Sequence, residues 1–136
     1  MAEISVAEKW MVGVLGADST LISAVSDRIY AHVVPEGTAF PYIFITYQGG
    51  SDVLTNGAYR IMSKLRYVVR AVSNSTSSES ARPIADRIDT VLHGKQGTVS
   101  LGVVFSAVRD QPFFMIEIRD GMHLRHVGGI YTVSSK

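Results

Sequence analysis

Apolar residues recur with helical spacing in the first quarter of the chain. Positions 4 to 15 predict an amphipathic helix. Its apolar stripe consists of Ile4, Ala7, Met11, Val14 and Leu15, with Trp10 beside it. Ser5 and Glu8 fit a capping box at its start, and Gly16 is placed to end it. Asp18 or Ser19 then caps a predicted short second helix. The apolar residues of that helix are Leu21, Ile22, Ala24 and Val25.

Runs of β-branched and aromatic residues follow as far as residue 72. The run at 29 to 34 predicts a strand, and the helix and strand breakers at 35 to 41 predict a loop. Two further runs, at 42 to 48 and at 59 to 72, predict a hairpin. The glycines and polar residues of 49 to 57 predict a long flexible connection between its strands.

The second hairpin strand has an alternating pattern. Its predicted buried positions are Tyr59, Ile61, Leu65, Tyr67 and Val69, and its predicted solvent-facing positions are Arg60, Lys64, Arg66 and Arg70. A strand of this length spans roughly 45 Å at about 3.4 Å per residue, so its ends are expected to overhang the body of the protein.

A polar linker at 73 to 78 precedes another predicted helix. The apolar positions of this helix are Ile84, Ile88, Val91 and Leu92, and His93 and Gly94 end it. Pro83 belongs in the first turn, where its missing N–H costs no hydrogen bond. We therefore expect the helix to begin near Ser80.

The last third of the chain predicts strands at 98 to 109, 113 to 119 and 122 to 133. Asp120 and Gly121 form a two-residue hairpin turn between the last two strands. Together the elements predict an α+β fold: a mostly antiparallel sheet with a long β-hairpin and helices packed on one face.

Composition narrows the class of protein. The chain has 136 residues, of which 46% are hydrophobic and 18% charged, a balance typical of one packed domain, here residues 1 to 136. The absence of cysteine from the sequence excludes a disulfide framework and a thiol nucleophile. No basic export segment and no apolar run of roughly 18 residues is present, so we expect a soluble protein with no membrane partner.

Charge is separated along the chain although the formal net charge is only +1. Residues 1 to 52 carry six acids and two bases, whereas residues 53 to 78 carry four bases and no acid. Such segments complement each other either within one chain or between neighbouring copies. The sequence leaves both possibilities open.

Candidate catalytic and metal-binding residues are few. His123 and His126 form an H-x-x-H pair, but a separation of three places them on opposite faces of a strand. Asp86 and Asp89 resemble paired carboxylates, but Arg82 and Arg87 lie within one turn and favour a solvated helix face. Nucleotide-binding and hydrolase motifs are absent from the sequence. We expect no enzyme activity, no metal and no cofactor.

The basic positions Arg60, Lys64, Arg66 and Arg70 are candidate contacts at a subunit interface or a lumen. Alternate strand residues lie about 7 Å apart, close to the spacing of phosphates along one DNA strand. Stacking aromatics are not interleaved on this face, which disfavours sequence-specific binding. An acidic neighbour is the favoured partner, ahead of plain solvation and of nucleic acid.

Several segments in order resemble one family. Residues 21 to 30 read LISAVSDRIY, residues 34 to 45 read VPEGTAFPYIFI, residues 92 to 94 read LHG, and residues 120 to 133 read DGMHLRHVGGIYTV. With these segments the chain resembles the tail-terminator, or tail-completion, proteins of long-tailed bacteriophages and gene transfer agents. Pro83 departs from that pattern and puts a contact surface in question, although not the fold.

The resemblance implies a structural virion protein, assembled in the host cytoplasm, with no catalytic residues to carry over. It implies a hexameric ring at the head-proximal end of the tail tube that ends tube polymerisation and joins the tail to the head. The implied partners are other copies of the chain, the tail-tube protein and a head-completion or connector protein, with DNA passing through the lumen. Alternatives are a head-completion stopper or tube-like subunit, or a small-ligand enzyme or binding module.

Overall fold

A computed structural model describes residues 2–75 and 78–136, and in these ranges three α-helices accompany one six-stranded sheet. The helices are α1 (Ala2–Gly16), α2 (Ser19–Val25) and α3 (Arg82–Leu92), and a 3-10 turn spans Ser78–Ser80. The strands are β1 (Ile29–Ala31), β2 (Tyr42–Leu54), β3 (Arg60–Ser73), β4 (Lys95–Val99), β5 (Gly102–Arg119) and β6 (Met122–Ser135). The predicted α+β class is confirmed.

Two long antiparallel hairpins form the centre of the sheet. The strand order is β1-β2-β3-β6-β5-β4, with β1 parallel to β2 and every other neighbouring pair antiparallel. Asp120 (φ 51°) and Gly121 (φ 77°) form the predicted two-residue turn between β5 and β6. Positive φ at both central residues is the geometry of a type I′ turn, which matches the twist of a hairpin.

One face of the sheet carries the main core. Buried residues of α1 (Val6, Ala7, Trp10, Met11, Leu15) and of α3 (Ile84, Ile88, Leu92) pack with odd-numbered residues of β3 and β6. The strand residues include Leu65, Tyr67, Val69, Tyr131 and Val133. Helices therefore cover one face, as the alternation predicted, and we call the opposite side the uncovered face.

The predicted flexible connection at 49 to 57 is wrong in most of its length. Strand β2 continues to Leu54, and only the turn from Thr55 to Tyr59 links it to β3. A register shift between Tyr47 and Gly49 marks a β-bulge, and Gly49 adopts φ 134°. The two glycines therefore allow the bulge and a close approach of the strands. A Cβ on Gly50 would lie 3.1 Å from the Cα of Leu65 on β3.

The predicted break between strands at 110 to 112 is also wrong. Strand β5 continues through Pro112, with only a register shift between Arg109 and Gln111, and β4 is a separate strand at Lys95–Val99. Pro112 lies on the part of β5 that β4 does not cover. Proline is tolerated on an edge strand because its nitrogen faces away from the neighbouring ladder.

Several element ends differ from the predictions. Strand β1 ends at Ala31 rather than at residue 34, because His32 adopts φ 68°. The predicted capping box at Ser5 is wrong because α1 already begins at Ala2. Helix α3 begins at Arg82, two residues later than expected, and Pro83 lies in its first turn. The predicted linker includes Thr76 and Ser77, which lie outside the described residues.

The tip of the β2–β3 hairpin overhangs the sheet as expected, with a different exposure from the one predicted. The β3–β6 ladder begins only at Ser63. Beyond it, Tyr59 is 76% exposed and Ile61 is 44% exposed, so the prediction that both are buried is wrong. They lie beyond the end of the β3–β6 ladder.

Candidate assembly surfaces

The basic residues singled out in the sequence do not share one environment. Lys64 and Arg66 are exposed on the uncovered face, beside an open groove of about 420 Å³ that Gly49 and Thr132 also line. Neither has an ion pair within residues 2–75 and 78–136. Arg60 lies at the hairpin tip with its guanidinium 3.9 Å from the Asp52 carboxylate. This is the single ion pair between the acidic and basic segments in the part of the chain described.

Arg70, predicted to face solvent, is instead mostly buried. Its guanidinium carbon lies 4.8 Å from the centroid of the Phe44 ring and 5.3 Å from that of the Phe113 ring. These groups share one rung across β2, β3, β6 and β5, with Gly128 at the β6 position. The two rings cover the aliphatic stem of Arg70 while attracting its charge, which explains its burial.

The rung of Arg70 has room only for glycine at position 128. A Cβ there would overlap the carbonyl oxygen of Val69 and lie 2.6 Å from the Cα of Arg70. Burial lowers the pKa of Arg70, and its Nε has no hydrogen-bond partner within the described ranges. Arg70 is therefore part of the packing of the uncovered face as well as a charge on it.

A histidine–carboxylate pair lies further along the same face of the sheet. His126 is 3% exposed, and its Nε2 lies 2.8 Å from Oε1 of Glu117. Burial lowers the pKa of His126 against the opposing effect of this hydrogen bond. Burial alone would raise the pKa of Glu117, but hydrogen bonds from His126 and Arg119 outweigh it and lower that pKa. The hydrogen bond joins β5 to β6 close to the point where the β5–β6 hairpin extends beyond the end of β3.

The other candidate chemical groups serve structural contacts. His123 is exposed whereas His126 is buried, so the H-x-x-H pair is split as predicted. Asp89 accepts a hydrogen bond from the Tyr131 hydroxyl at 3.0 Å. Within the described residues, no three His, Cys, Asp or Glu side chains are grouped so that they hold a metal ion.

The arginines near the aspartate pair have separate partners. Arg87 donates two hydrogen bonds to Asp18 at the start of α2, at 2.9 and 2.6 Å. Arg82 pairs with Glu79 at 2.7 Å. The solvated helix face predicted for Asp86 and Asp89 is thus correct for Asp86, which is exposed, whereas Asp89 is half-buried. Arg87 ties α3 to α2.

Two free strand edges are the feature that the sequence analysis missed. Strand β1 pairs with β2 only at 43 to 45, and β4 pairs with β5 only as far as Ala107. The edges of β2 over 46 to 54 and of β5 beyond Arg109 have no neighbouring strand in the described structure. Pro112 was a signal for the second edge, since proline within a strand is typical of an edge strand.

Exposed apolar side chains accompany the β5 edge. Phe114 is 58% exposed, Ile116 48% and Ile118 71%. They alternate along one face of the strand, and a folded monomer seldom leaves such a stripe in water. None of the helices in the described ranges is both long and apolar enough to cross a membrane. The fold and these surfaces therefore define a structural subunit with surfaces suited to assembly.

Comparison with solved structures finds the same fold in a chain of a particle structure. The whole chain resembles a chain in the solved structure "Virion of native gene transfer agent (GTA) particle", with a TM-score of 0.78 over 99% of this chain and 98% of that one. The sequences are 14% identical, so the likeness is one of fold. No curated protein matches the sequence significantly.

The sequence itself shows the family. Residues 9–113 match the family described as "Tail completion protein gp17". The match spans most of the chain, which therefore belongs to the gp17 tail completion family. The resemblance inferred from the sequence is confirmed: the protein is a phage-type tail structural component of a virion, and its family is not an enzyme family.

Proposed function

We propose that this chain forms a hexameric ring at the head-proximal end of the tail tube. The ring ends polymerisation of the tube and provides the surface that a head-completion or connector protein binds. The membership of residues 9–113 in the tail completion family is the observation that carries this proposal. The likeness to a virion chain over nearly its whole length supports it.

The surfaces of the subunit suit a ring. A ring built by rotation joins one patch of a subunit to a different patch of the next, so it needs two unlike surfaces. The four basic positions of β3 supply one of them in this proposal, because Lys64 and Arg66 are exposed and Arg60 has only a distant partner. Arg70 supports this surface through the packing of its rung.

Lys64 and Arg66 have a second possible position in the ring, on the wall of the lumen. They lie on the face that the helices leave open, and the groove beside them is lined by the small residues Gly49, Ser51 and Thr132. Cations on such a wall would contact passing DNA through its phosphates, without reading its sequence.

Tube polymerisation tests the proposed function. Purified protein added to tail-tube subunits during assembly should stop growth, and electron microscopy should show short tubes of uniform end structure. Continued growth with the protein incorporated along the tube would indicate a tube-like subunit. Unchanged tubes without bound protein would indicate a component of the head side, such as a stopper, and would contradict termination.

A further inference from the structure

We infer that the free edge of β5 pairs, strand to strand, with the free edge of β2 in a second copy of this chain. The inference rests on the proposed ring and names the contact that closes it. The two edges lie at opposite sides of one sheet and differ in sequence. Each copy therefore offers one edge of each kind, which is the requirement for a contact that repeats around a ring.

The backbone groups of β5 are available for this pairing. Arg119 and Met122 flank a two-residue turn, and such a flanking pair exchanges its hydrogen bonds across the hairpin. Since orientation alternates along a strand, the N–H and C=O groups of Phe114, Ile116 and Ile118 face away from β6. The register from Gln111 to Arg119 is regular, so Pro112 has the same orientation and loses no bond to β6.

Among the residues described, intramolecular partners cover the outer edge of β5 only up to Arg109. Strand β4 reaches Ala107, and Nδ1 of His93 accepts the N–H of Arg109 at 3.0 Å. At the opposite edge of the sheet, the Ile45 carbonyl accepts the N–H of His32 at 2.9 Å. This is the last hydrogen bond to the outer edge of β2 in the described residues. Residues 110 to 119 and 46 to 54 are thus left with one side open.

Strand direction and length are compatible. Strands β2 and β5 are separated by β3 and β6 in an antiparallel series, so they run in opposite directions. Placing β5 of one copy beside β2 of the next continues the antiparallel order. The free segments have ten and nine residues by their bounds, each longer than an average strand of about five or six residues.

If the sheets of successive copies join edge to edge into one closed sheet, the two free edges of each copy must be shifted relative to each other along the strand direction. The positions of the free edges provide this shift. Gly50, the middle of the β2 edge, lies on the rung of Leu65, Val133 and Ala107, whereas Phe114 lies on the rung of Val127. From Val133 to Val127 the shift is about 20 Å, and four strands are about 19 Å wide. The resulting tilt of about 45° lies at the upper end of the range for closed sheets.

Apolar side chains are available on both sides of the contact. Phe114, Ile116 and Ile118 are exposed on β5, and Tyr47 and Leu54 are 38% and 53% exposed on β2. Cross-strand pairs of aromatic and β-branched residues stabilise antiparallel ladders. The same pairing would give the apolar stripe of β5 neighbouring side chains on an adjacent strand, which covers part of its exposed surface.

Engineered cysteines test the contact without background, because the chain has none of its own. The double variant Gln48→Cys with Met115→Cys places both thiols on the uncovered face. It is treated with a bismaleimide whose spacer of about 10 Å spans neighbouring strands and one step of register. We expect a ladder of covalent oligomers on a denaturing gel. Each single variant should remain monomeric on that gel, and so should the control that combines Gln48→Cys with Asp86→Cys on the outer side of α3.

Native mass spectrometry of the same samples separates the two proposals. If native mass spectrometry gives the mass of a ring but the gel shows no covalent ladder, the edge pairing is wrong and the proposed ring is still supported. Dimers from Met115→Cys alone would show that two β5 edges pair with each other, which also overturns the inference. A monomer mass at every protein concentration would contradict the ring itself.

Discussion

At the scale of single residues, identical side chains have different roles on one strand. Arg66 and Arg70 are four residues apart on β3 and carry the same charge. Arg66 is exposed, whereas Arg70 lies between the rings of Phe44 and Phe113. The difference arises because aromatic residues of β2 and β5 share the rung of Arg70 and not that of Arg66.

Charge reversal separates these roles. We expect Arg70→Glu to lower the free energy of unfolding by about 3 kcal/mol, since it places an unpaired carboxylate between two rings. Arg66→Glu should change it by no more than about 0.5 kcal/mol, as is usual for an exposed site. Urea denaturation monitored by circular dichroism measures both values. Equal effects of the two reversals would contradict the packing role of Arg70.

At the scale of elements, one ion pair holds two helices together. Asp18 caps α2 by accepting the N–H of Leu21 at 3.1 Å, and it also accepts both hydrogen bonds from Arg87 of α3. The bonds from Arg87, together with the bond from the backbone of Leu21, lower the pKa of Asp18 below its ordinary value of 3.8. A carboxyl group with a lowered pKa favours the folded state while it is ionised.

The pH dependence of Asp18→Asn follows from this shift. The variant keeps a capping side chain but loses the charge, so we expect it to be less stable than the original protein at pH 7. The difference should narrow as the pH falls from 3.8 through the lowered pKa of folded Asp18, because the unfolded chain binds a proton there more readily than the folded protein does. Chemical denaturation at several pH values measures it. Asp86→Asn on the exposed side of α3 is the control and should show no such narrowing.

The elements also show how far the sequence predicts structure. Both helical stripes, the hairpin turn at Asp120 and Gly121, and the buried residues Leu65, Tyr67 and Val69 follow from local spacing. The glycines at 49 to 50 and Pro112 were misread as breaks. Their local preference is real, but a bulge and an edge position accommodate them within long strands.

At the scale of the whole molecule, the acidic segment at 1 to 52 and the basic segment at 53 to 78 hardly pair with each other in the described residues. Arg60 and Asp52 form the single ion pair between the two charged segments in the described residues, at 3.9 Å. Exposed pairs of this kind contribute little to stability. Lys64 and Arg66, exposed and without an ion pair in the described residues, are therefore available to a neighbouring subunit or to DNA.

Reversing both exposed charges, Lys64→Glu with Arg66→Glu, tests their place in the assembly. If they contact an acidic neighbour, the concentration below which the ring dissociates should be at least about tenfold higher for the double variant than for the original protein. Added salt should also weaken the ring of the original protein. Sedimentation velocity measures this. Lys95→Glu, an exposed position outside both segments, should leave the mass unchanged. An unaltered ring in the double variant would exclude the interface and favour the lumen wall.

The sequence by itself determined the periodicities: which residues form helices, which strands have one apolar face, and which family the chain belongs to. These follow because helix and strand spacing, turn residues and motif order are local properties of the chain. Only the tertiary structure decided which strand edges stay open and why Arg70 is covered. Both depend on residues far apart in sequence that meet on a common rung, and no local pattern specifies that meeting.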